Sequence, residues 1–245
     1  WLLGDSATTG STNSDGSLNT SVIAADAGHF SIVSWTMSDP AGAKTLGHGL
    51  TAAPELIIIK NRTDAGTNWP VYSEDVGNTK YMYLSTTAAA ATFNMWQNTS
   101  PTSTVFYVSS NNEASGSAND EMIAYCFKSI PGVCKVGTYT GNGDPNGPYI
   151  DLGFKPAFFM AKQSSAVENW VMLDNQRPNY NPTGGYLFAN LNNVEGGLGS
   201  EYVDFLSSGV KLRTTGASVN GSASFIYLAM ADIGGNGTLP PIYGK

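Results

Sequence analysis

One stretch of this sequence occurs twice, 102 positions apart, as Pro54-Glu55-Leu56-Ile57-Ile58-Ile59-Lys60 and as Pro156-Ala157-Phe158-Phe159-Met160-Ala161-Lys162. Each copy consists of a proline, five mainly apolar residues and a lysine, and each follows a glycine with a large apolar neighbour, Gly49-Leu50 or Gly153-Phe154. A short apolar run between turn-forming residues predicts a central β-strand that is covered on both faces. The sequence therefore predicts the same strand in two places.

The repeat extends well beyond this stretch, because further segments match in the same order with offsets of 101 to 104 residues. The matching segments are Val33-Ser34-Trp35-Thr36 with Gly137-Thr138-Tyr139-Thr140, Asn68-Trp69 with Asn169-Trp170, Tyr83-Leu84 with Tyr186-Leu187, and Met122-Ile123-Ala124-Tyr125-Cys126-Phe127 with Phe225-Ile226-Tyr227-Leu228-Ala229-Met230. Collinear self-similarity of this kind predicts two homologous domains. We place them at residues 30–131 and 132–233, with a polar linker or attachment segment at 1–29 and a tail at 234–245.

Both copies have the composition of β-structure. Segments of five to eight residues rich in Val, Ile, Tyr, Phe and Thr, such as Thr104-Val105-Phe106-Tyr107-Val108-Ser109, alternate with Gly, Pro, Asn and Ser. This pattern predicts an all-β fold of two tandem β-sandwich domains, jelly-roll-like in type. Helical turns are expected only at residues 87–96 and 190–195.

Composition excludes several classes of function. With 12 basic residues against 19 acidic ones, the formal net charge is −7 at pH 7, so nucleic acid is not an expected partner. No apolar stretch approaches the roughly 18 residues that a membrane-spanning helix needs, so membrane insertion is not expected either. The first residue, Trp1, is interpreted as the start of an ordered part of a longer chain.

Residues for catalysis or metal binding are sparse. The chain has only two histidines, His29 and His48, and neither has a second histidine at ligand spacing, so no metal, no cofactor and no catalytic residue is predicted. Oxygen ligands for Ca²⁺ from Asp144, Asn146 and Asp151 are an alternative, although their spacing is unlike that of a calcium loop. Paired carboxylates for polysaccharide cleavage form a second alternative.

Cys126 and Cys134 leave two interpretations open. A tight turn at Ile130-Pro131 would place them opposite each other on adjacent strands, where they could form a disulfide. The favoured interpretation is a buried thiol within Ala124-Tyr125-Cys126-Phe127, with Cys134 incidental.

Aromatic residues divide into repeated and single ones. Trp69 and Trp170 occupy matching places, which favours a shared core role, whereas Trp96 and Tyr180 have no counterpart and are predicted to be exposed contacts. Residues 175–185 form a loop without a like-composed match in the first copy. Its Arg177, Asn179, Tyr180 and Asn181 combine a stacking ring with amide and guanidinium donors, and we predict that they bind a ligand.

Seven strings stand out in order along the chain: Phe30-Ser31-Ile32-Val33-Ser34, Gly47-His48-Gly49-Leu50, Ala53-Pro54-Glu55-Leu56-Ile57-Ile58-Ile59-Lys60-Asn61-Arg62, Ser100-Pro101-Thr102-Ser103-Thr104-Val105-Phe106, Ile123-Ala124-Tyr125-Cys126-Phe127, Gly137-Thr138-Tyr139-Thr140-Gly141-Asn142-Gly143 and Val203-Asp204-Phe205-Leu206-Ser207-Ser208-Gly209-Val210-Lys211-Leu212-Arg213. Together they resemble a family of phage virion proteins, common in marine and cyanobacterial phages, in which repeated β domains occur in tail-fibre-like chains. The resemblance covers about residues 20–232 and implies a structural or adhesive virion protein. It supplies no site residues, and Cys134 departs from its pattern.

The functional hypothesis is a non-enzymatic virion protein at the particle surface, within a tail fibre or appendage that meets the host. A capsid decoration or head-fibre protein is the first alternative, and a polysaccharide-cleaving tailspike is the second. The expected partners are other virion proteins, a host-surface glycan and further copies of the chain, in a trimer if the chain belongs to a fibre and otherwise around a local symmetry axis of the virion.

Overall fold

The computed structural model describes residues 9–38, 41–177, 181–196 and 202–232. The chain divides into two compact units: unit 1 comprises Trp1–Leu84 with Ala90–Lys128, and unit 2 comprises Ser85–Ala89 with Ser129–Lys245. Antiparallel β-sheets dominate both units. The prediction of an all-β, sandwich-type fold is therefore confirmed.

Unit 1 is built from two antiparallel sheets. Its strands are β1 (Ser11–Asn13), β2 (Thr20–Ala24), β3 (Phe30–Thr36), β4 (Lys44–Gly47), β5 (Leu56–Asn61), β6 (Pro70–Ser73), β7 (Lys80–Tyr83), β8 (Ala91–Thr92), β9 (Val105–Val108) and β10 (Glu121–Phe127). One sheet has eight strands in the order β1-β2-β3-β10-β5-β6-β7-β8, and the other pairs β4 with β9. Side chains from both sheets, among them Val33, Ile57, Leu46 and Phe106, form one apolar core.

Unit 2 follows the same plan. Its elements are β11 (Cys134–Thr140), β12 (Tyr149–Asp151), β13 (Pro156–Gln163), β14 (Val171–Asp174), β15 (Tyr186–Phe188), β16 (Val203–Phe205), β17 (Gly209–Leu212), α1 (Ala217–Asn220) and β18 (Ser224–Ala231). A five-stranded sheet in the order β11-β18-β13-β14-β15 faces a three-stranded sheet, β12-β17-β16. Phe159 and Phe225 of the larger sheet share a core with Val210 of the smaller one.

The central strands of the two units pair in equivalent registers. Strand β10 lies between β3 and β5, and β18 lies between β11 and β13. Lys60 of β5 is opposite Ile123, and Lys162 of β13 is opposite Ile226, so each repeated lysine takes the same place in its sheet. The exact boundaries at 30–131 and 132–233 stay a prediction.

The repeated glycines have a conformational reason. Gly49 and Gly153 adopt φ values of 69° and 78°, in the left-handed region that glycine enters without steric cost. Any other residue at these two positions would be strained, because a Cβ atom disfavours this backbone conformation.

One sequence match shifts by two residues in the structure. The Leu84 N–H donates to Trp69 O at 2.9 Å, and the Ala189 N–H donates to Trp170 O at 3.0 Å. With the tryptophans as the fixed points, Leu84 therefore corresponds to Ala189, not to Leu187. A shift of two residues keeps every side chain on its original face of a strand, so the apolar pattern does not distinguish the two alignments.

The segment expected to be a linker contributes to the sheet of unit 1. Strand β1 pairs with β2, and β2 pairs with β3, so residues 11–24 form the edge of the eight-stranded sheet. Few of the residues in this stretch are apolar, and that composition is what predicted a linker. Such a composition is also compatible with an edge strand whose outer face meets water.

Helix is rarer than expected. In the described ranges α1 is the one α-helix, and residues 87–96 contain β8 together with irregular chain. Residues 190–195 are likewise not helical. The two helical predictions were therefore wrong; within residues 87–96, Ala91 and Thr92 pair with β7 as a strand instead.

Both cysteines are buried, Cys126 in β10 and Cys134 in β11. Cys126 is a free thiol, so the two are not bridged by a disulfide. Burial raises the pKa of Cys126 to about 12, and a hydrogen bond with Ser31 opposes this shift. The interpretation of Cys126 as a buried thiol is confirmed.

Candidate functional site

Two of the four predicted ligand-binding residues, Asn179 and Tyr180, lie outside the described residues. The other two, Arg177 and Asn181, are held by contacts within unit 2. The Arg177 guanidinium contacts Asp174 Oδ2 through Nε at 2.7 Å and through Nη2 at 2.6 Å, and its Nη1 is 3.8 Å from Glu195 Oε2. The Arg177 side chain is 38% exposed, so part of the guanidinium still faces solvent.

Asn181 has less freedom than Arg177. Its amide nitrogen donates to Phe205 O at 2.8 Å, and its amide oxygen accepts the Phe205 N–H at 2.9 Å. The side chain thus pairs with the backbone of β16 as another strand would. In this geometry Asn181 has a structural role. Ligand binding by Arg177, Asn179, Tyr180 and Asn181 stays a prediction.

A second candidate lies on the eight-stranded sheet of unit 1, where hydroxyl side chains form a row across three strands. Strand pairing places Thr12 opposite Ser21, and Ser21 opposite Ser34. The adjacent Val22 and Val33 belong to the core. Because side chains alternate along a strand, Ser21 and Ser34 lie on the opposite face, away from that core.

The next row of this sheet adds a hydroxyl and two charges. Thr36 is opposite Glu121, and the Arg62 N–H donates to the Glu121 carbonyl at 2.7 Å, so Arg62 continues the ladder. Arg62 Nη1 is 3.7 Å from Glu121 Oε2, and the two side chains are 54% and 61% exposed. An ion pair this exposed contributes about 0–1 kcal/mol to stability, which leaves both groups available to a ligand.

These rows line a surface recess of about 550 Å³. We call it the polar groove, defined by Thr12, Ser21, Ser34, Thr36, Arg62 and Glu121. Its edge strands β1 and β2 have no equivalent in the sheet order of the described part of unit 2, which starts at β11. The polar groove is therefore a feature of the first copy.

Most reactive side chains of the described residues have structural roles. His48 is buried; its Nδ1 accepts the Leu50 N–H at 3.1 Å, and its Nε2 lies 3.2 Å from Thr102 O. Burial lowers the pKa of His48, against the opposing effects of the Thr102 bond and the charge of Asp15. A neutral His48 ring satisfies both backbone partners, since one ring nitrogen accepts a hydrogen bond and the other donates one. This agrees with a structural role for His48 in the turn.

The oxygen ligands that form the alternative Ca²⁺ site stabilise turns. Asp144 Oδ1 accepts the Asn146 N–H at 2.7 Å, and Asp151 Oδ1 accepts the Gly153 N–H at 3.2 Å. Within the residues that the structure describes, no three His, Cys, Asp or Glu side chains form a group that could hold a metal ion.

The repeated lysines anchor the loops that follow their strands. Lys60 Nζ donates to Thr67 O at 2.8 Å and to Asp64 O at 3.2 Å. Lys162 Nζ donates to Ala166 O at 3.2 Å and to Gln163 O at 2.6 Å. Lys162 is completely buried, and burial lowers its pKa to about 8, although the charge of Glu168 acts in the opposite direction.

The pKa of Lys162 predicts a pH dependence of stability. Between about pH 8 and the ordinary lysine value of 10.5, the unfolded chain binds more protons than the folded one, so this group makes stability rise with pH. We expect the difference in free energy of unfolding, wild type minus Lys162→Met, to increase from pH 8 to pH 10. Chemical denaturation at several pH values measures it. Cys126 and the tyrosines are present in both proteins, so their contributions cancel in this difference. Free energies of unfolding that change in parallel with pH in the two proteins would contradict the prediction.

The aromatic predictions have mixed outcomes. Trp170 is 1% exposed, in agreement with a core role, whereas Trp69 is only half-buried. Trp96 is also 1% exposed, so the prediction of an exposed contact was wrong. Its ring packs edge-on against Tyr72, and its Nε1 donates to Lys80 O at 2.9 Å. Absence of a repeat counterpart is therefore no indicator of exposure.

The polar groove was not predicted from the sequence. A signal was present, since Ser34 and Thr36 alternate with the core residues Val33 and Trp35 along β3. That pattern predicts a polar outer face for one strand. It does not reveal that Thr12 and Glu121, more than a hundred residues apart, border the same recess.

Fold and groove together define an all-β protein of sandwich type with a polar surface recess. The chain belongs to the family described as "Domain of unknown function (DUF7483)", which it matches over residues 1–233. No curated protein and no solved structure matches it. None of the helical structure in the described ranges has the length and apolar character that a membrane crossing requires.

Proposed function

We propose that this chain is a non-enzymatic structural protein of a phage virion, located in a tail fibre or similar appendage at the particle surface, where it contacts the host. The observation that carries the contact role is the polar groove, a recess of about 550 Å³ bordered by side chains that hydrogen-bond and are accessible to a partner. The virion assignment rests on the resemblance of the repeated β segments to tail-fibre-like chains.

The environment of the nucleophiles supports a role without catalysis. Cys126 and Lys162 are both completely buried, and the Lys162 amine is bonded to backbone carbonyls. His48 has backbone partners at both ring nitrogens. A catalytic nucleophile or base must contact its substrate. The side chains of Cys126, Lys162 and His48 are too buried in this structure to do so.

A virion protein of this kind is expected in symmetry-related copies, as a trimer if it belongs to a fibre. Surfaces with few charged groups suit such repeated contacts, because only 13% of residues are charged and few charges must leave water at an interface.

Imaging of intact particles tests the proposal. Particles of the phage that encodes the chain are labelled with an antibody against it and examined by electron cryo-microscopy. We expect the label on a tail appendage, at positions related by symmetry. Label on the capsid lattice would replace the tail assignment with the capsid decoration or head-fibre alternative, and particles that lack the chain would overturn the proposal. Release of reducing ends from host polysaccharide by the purified chain would favour the tailspike alternative.

A further inference from the structure

We propose that the polar groove of unit 1 binds a neutral saccharide through its hydroxyl and amide side chains. This inference rests on the proposed contact role and adds the chemical class of the ligand. It also assigns recognition to the first copy, in a place other than the loop around Arg177.

Polar residues make up eight of the ten that border the recess, the other two being Trp35 and Met122, and they favour a ligand that offers both donors and acceptors. Each Ser or Thr hydroxyl donates one hydrogen bond and accepts two, and the amide of Asn19, which also borders the recess, does both. A sugar presents the same groups in return. An apolar ligand would bury hydroxyls such as that of Ser21 without offering them hydrogen bonds, at a cost of about 1–3 kcal/mol for each one. The Ser34 hydroxyl also donates to Ser21 O at 3.4 Å.

The backbone of the sheet fixes the spacing of these groups. Strands β1, β2, β3 and β10 are neighbours in one hydrogen-bonded sheet, so the hydroxyls of Thr12, Ser21 and Ser34 stand on strands about 4.8 Å apart. That interval is on the scale of one sugar ring. A site built on paired strands is also preorganised, which reduces the entropy lost on binding.

The size of the recess suits a short oligosaccharide. Small-molecule sites usually enclose about 300–1,000 Å³, and the polar groove has about 550 Å³. It is an open recess on a sheet face, and an open site allows a polymer to continue in both directions. The recess can therefore bind internal sugar units of a polysaccharide as well as its chain ends.

Charge argues for a neutral sugar over an anionic one. Arg62 and Glu121 border the recess together, and their formal charges cancel. The whole chain carries a net charge of −7 at pH 7, which repels polymers rich in phosphate or uronic acid. A diol can bridge the exposed guanidinium and carboxylate without disturbing that balance, because it donates to one group and accepts from the other.

The test uses the full chain and defined probes. Trisaccharides of glucose, mannose and galactose serve as neutral probes, and trigalacturonate serves as the acidic one, each titrated into ¹⁵N-labelled protein and followed by amide chemical shifts. We expect at least one neutral probe to shift the amides of residues 19–21, 34–36 and 121 saturably, with affinity greater than for trigalacturonate. Tighter binding of the acidic probe, or no saturable shift at these residues with any neutral probe, overturns the inference.

Two variants test the hydroxyl row directly. Ser21→Val with Ser34→Val removes two hydroxyls and introduces residues that favour strands, and Ser21→Ala with Ser34→Ala removes them without added bulk. We expect both to weaken binding by about tenfold or more, the equivalent of losing two neutral hydrogen bonds. Wild-type affinity in both variants overturns the inference.

Thr138→Val is the matched control. Thr138 is an exposed residue of β11, opposite Ile226, and so takes the place in unit 2 that Ser34 takes opposite Ile123. Saccharide binding should be unchanged in the Thr138→Val variant.

Attachment of the labelled chain to host cells separates the two proposals. If neutral oligosaccharides do not compete and both serine variants attach normally, the saccharide inference fails while the host-contact proposal stands.

Discussion

Replacing Asn220 with aspartate is expected to lower the free energy of unfolding by about 3–5 kcal/mol, the range for a buried charge left without compensation. Asn220 is completely buried, and its amide nitrogen lies 2.7 Å from Thr214 O, 2.8 Å from Asp144 O and 3.1 Å from Asn142 Oδ1. Its amide oxygen accepts the Asn142 N–H at 3.0 Å. In the variant, a carboxylate oxygen would face three acceptors.

Chemical denaturation at pH 7 measures this loss. Asn146→Asp is the control, because Asn146 is exposed in the same loop and the same change of charge occurs there in water. The loss for Asn220→Asp should diminish in acid, where the introduced carboxyl is protonated and can donate a hydrogen bond. A variant as stable as wild type at pH 7 would show that the amide does not hold the loop as described.

Replacing Trp96 with alanine is expected to cost about 3–5 kcal/mol in the free energy of unfolding, the usual loss for a buried tryptophan. The variant loses the edge-on contact with Tyr72, whose ring centroid is 5.7 Å away, and leaves Lys80 O without its indole donor. It also leaves a cavity in the core of unit 1, where Trp96 packs with Met95 and Phe106.

Trp69→Ala is the matched control for this change, since Trp69 is only half-buried in the same unit. Less apolar surface returns to water when Trp69 is truncated, so its loss should be smaller than that for Trp96. Both are measured by chemical denaturation monitored by circular dichroism. Equal losses would contradict the assignment of Trp96 to the core and of Trp69 to the half-buried surface.

Much of the fold could be predicted from the sequence because its signal is local. Leu56 to Ile59 and Ile226 to Met230 are short apolar runs, and they lie in β5 and β18, two central strands, with nearly every residue buried. The matching offsets of such runs also predicted the shared strand order. The match of Tyr83 with Tyr186 was wrong by two residues. A shift of two residues leaves the alternation of faces unchanged, so the local pattern gives no information on it.

The candidate site was less predictable. The loop around Arg177 was chosen for the chemistry of its residue types, but the sequence does not show that Asp174 binds the guanidinium or that Asn181 pairs with Phe205. Polar side chains in loops often stabilise the loop itself, and residue type alone does not separate that role from recognition.

The sequence by itself determined that the chain is all-β and repeated, because alternation, apolar runs and turn residues act over a few neighbours along the chain. Only the tertiary structure decided that Trp96 is core, that Asn220 fastens a distant loop, and that Thr12, Ser34 and Glu121 border one recess. Each of these depends on partners tens of residues away. Strand register and sheet order bring such partners together, and both are set by the packing of the whole unit.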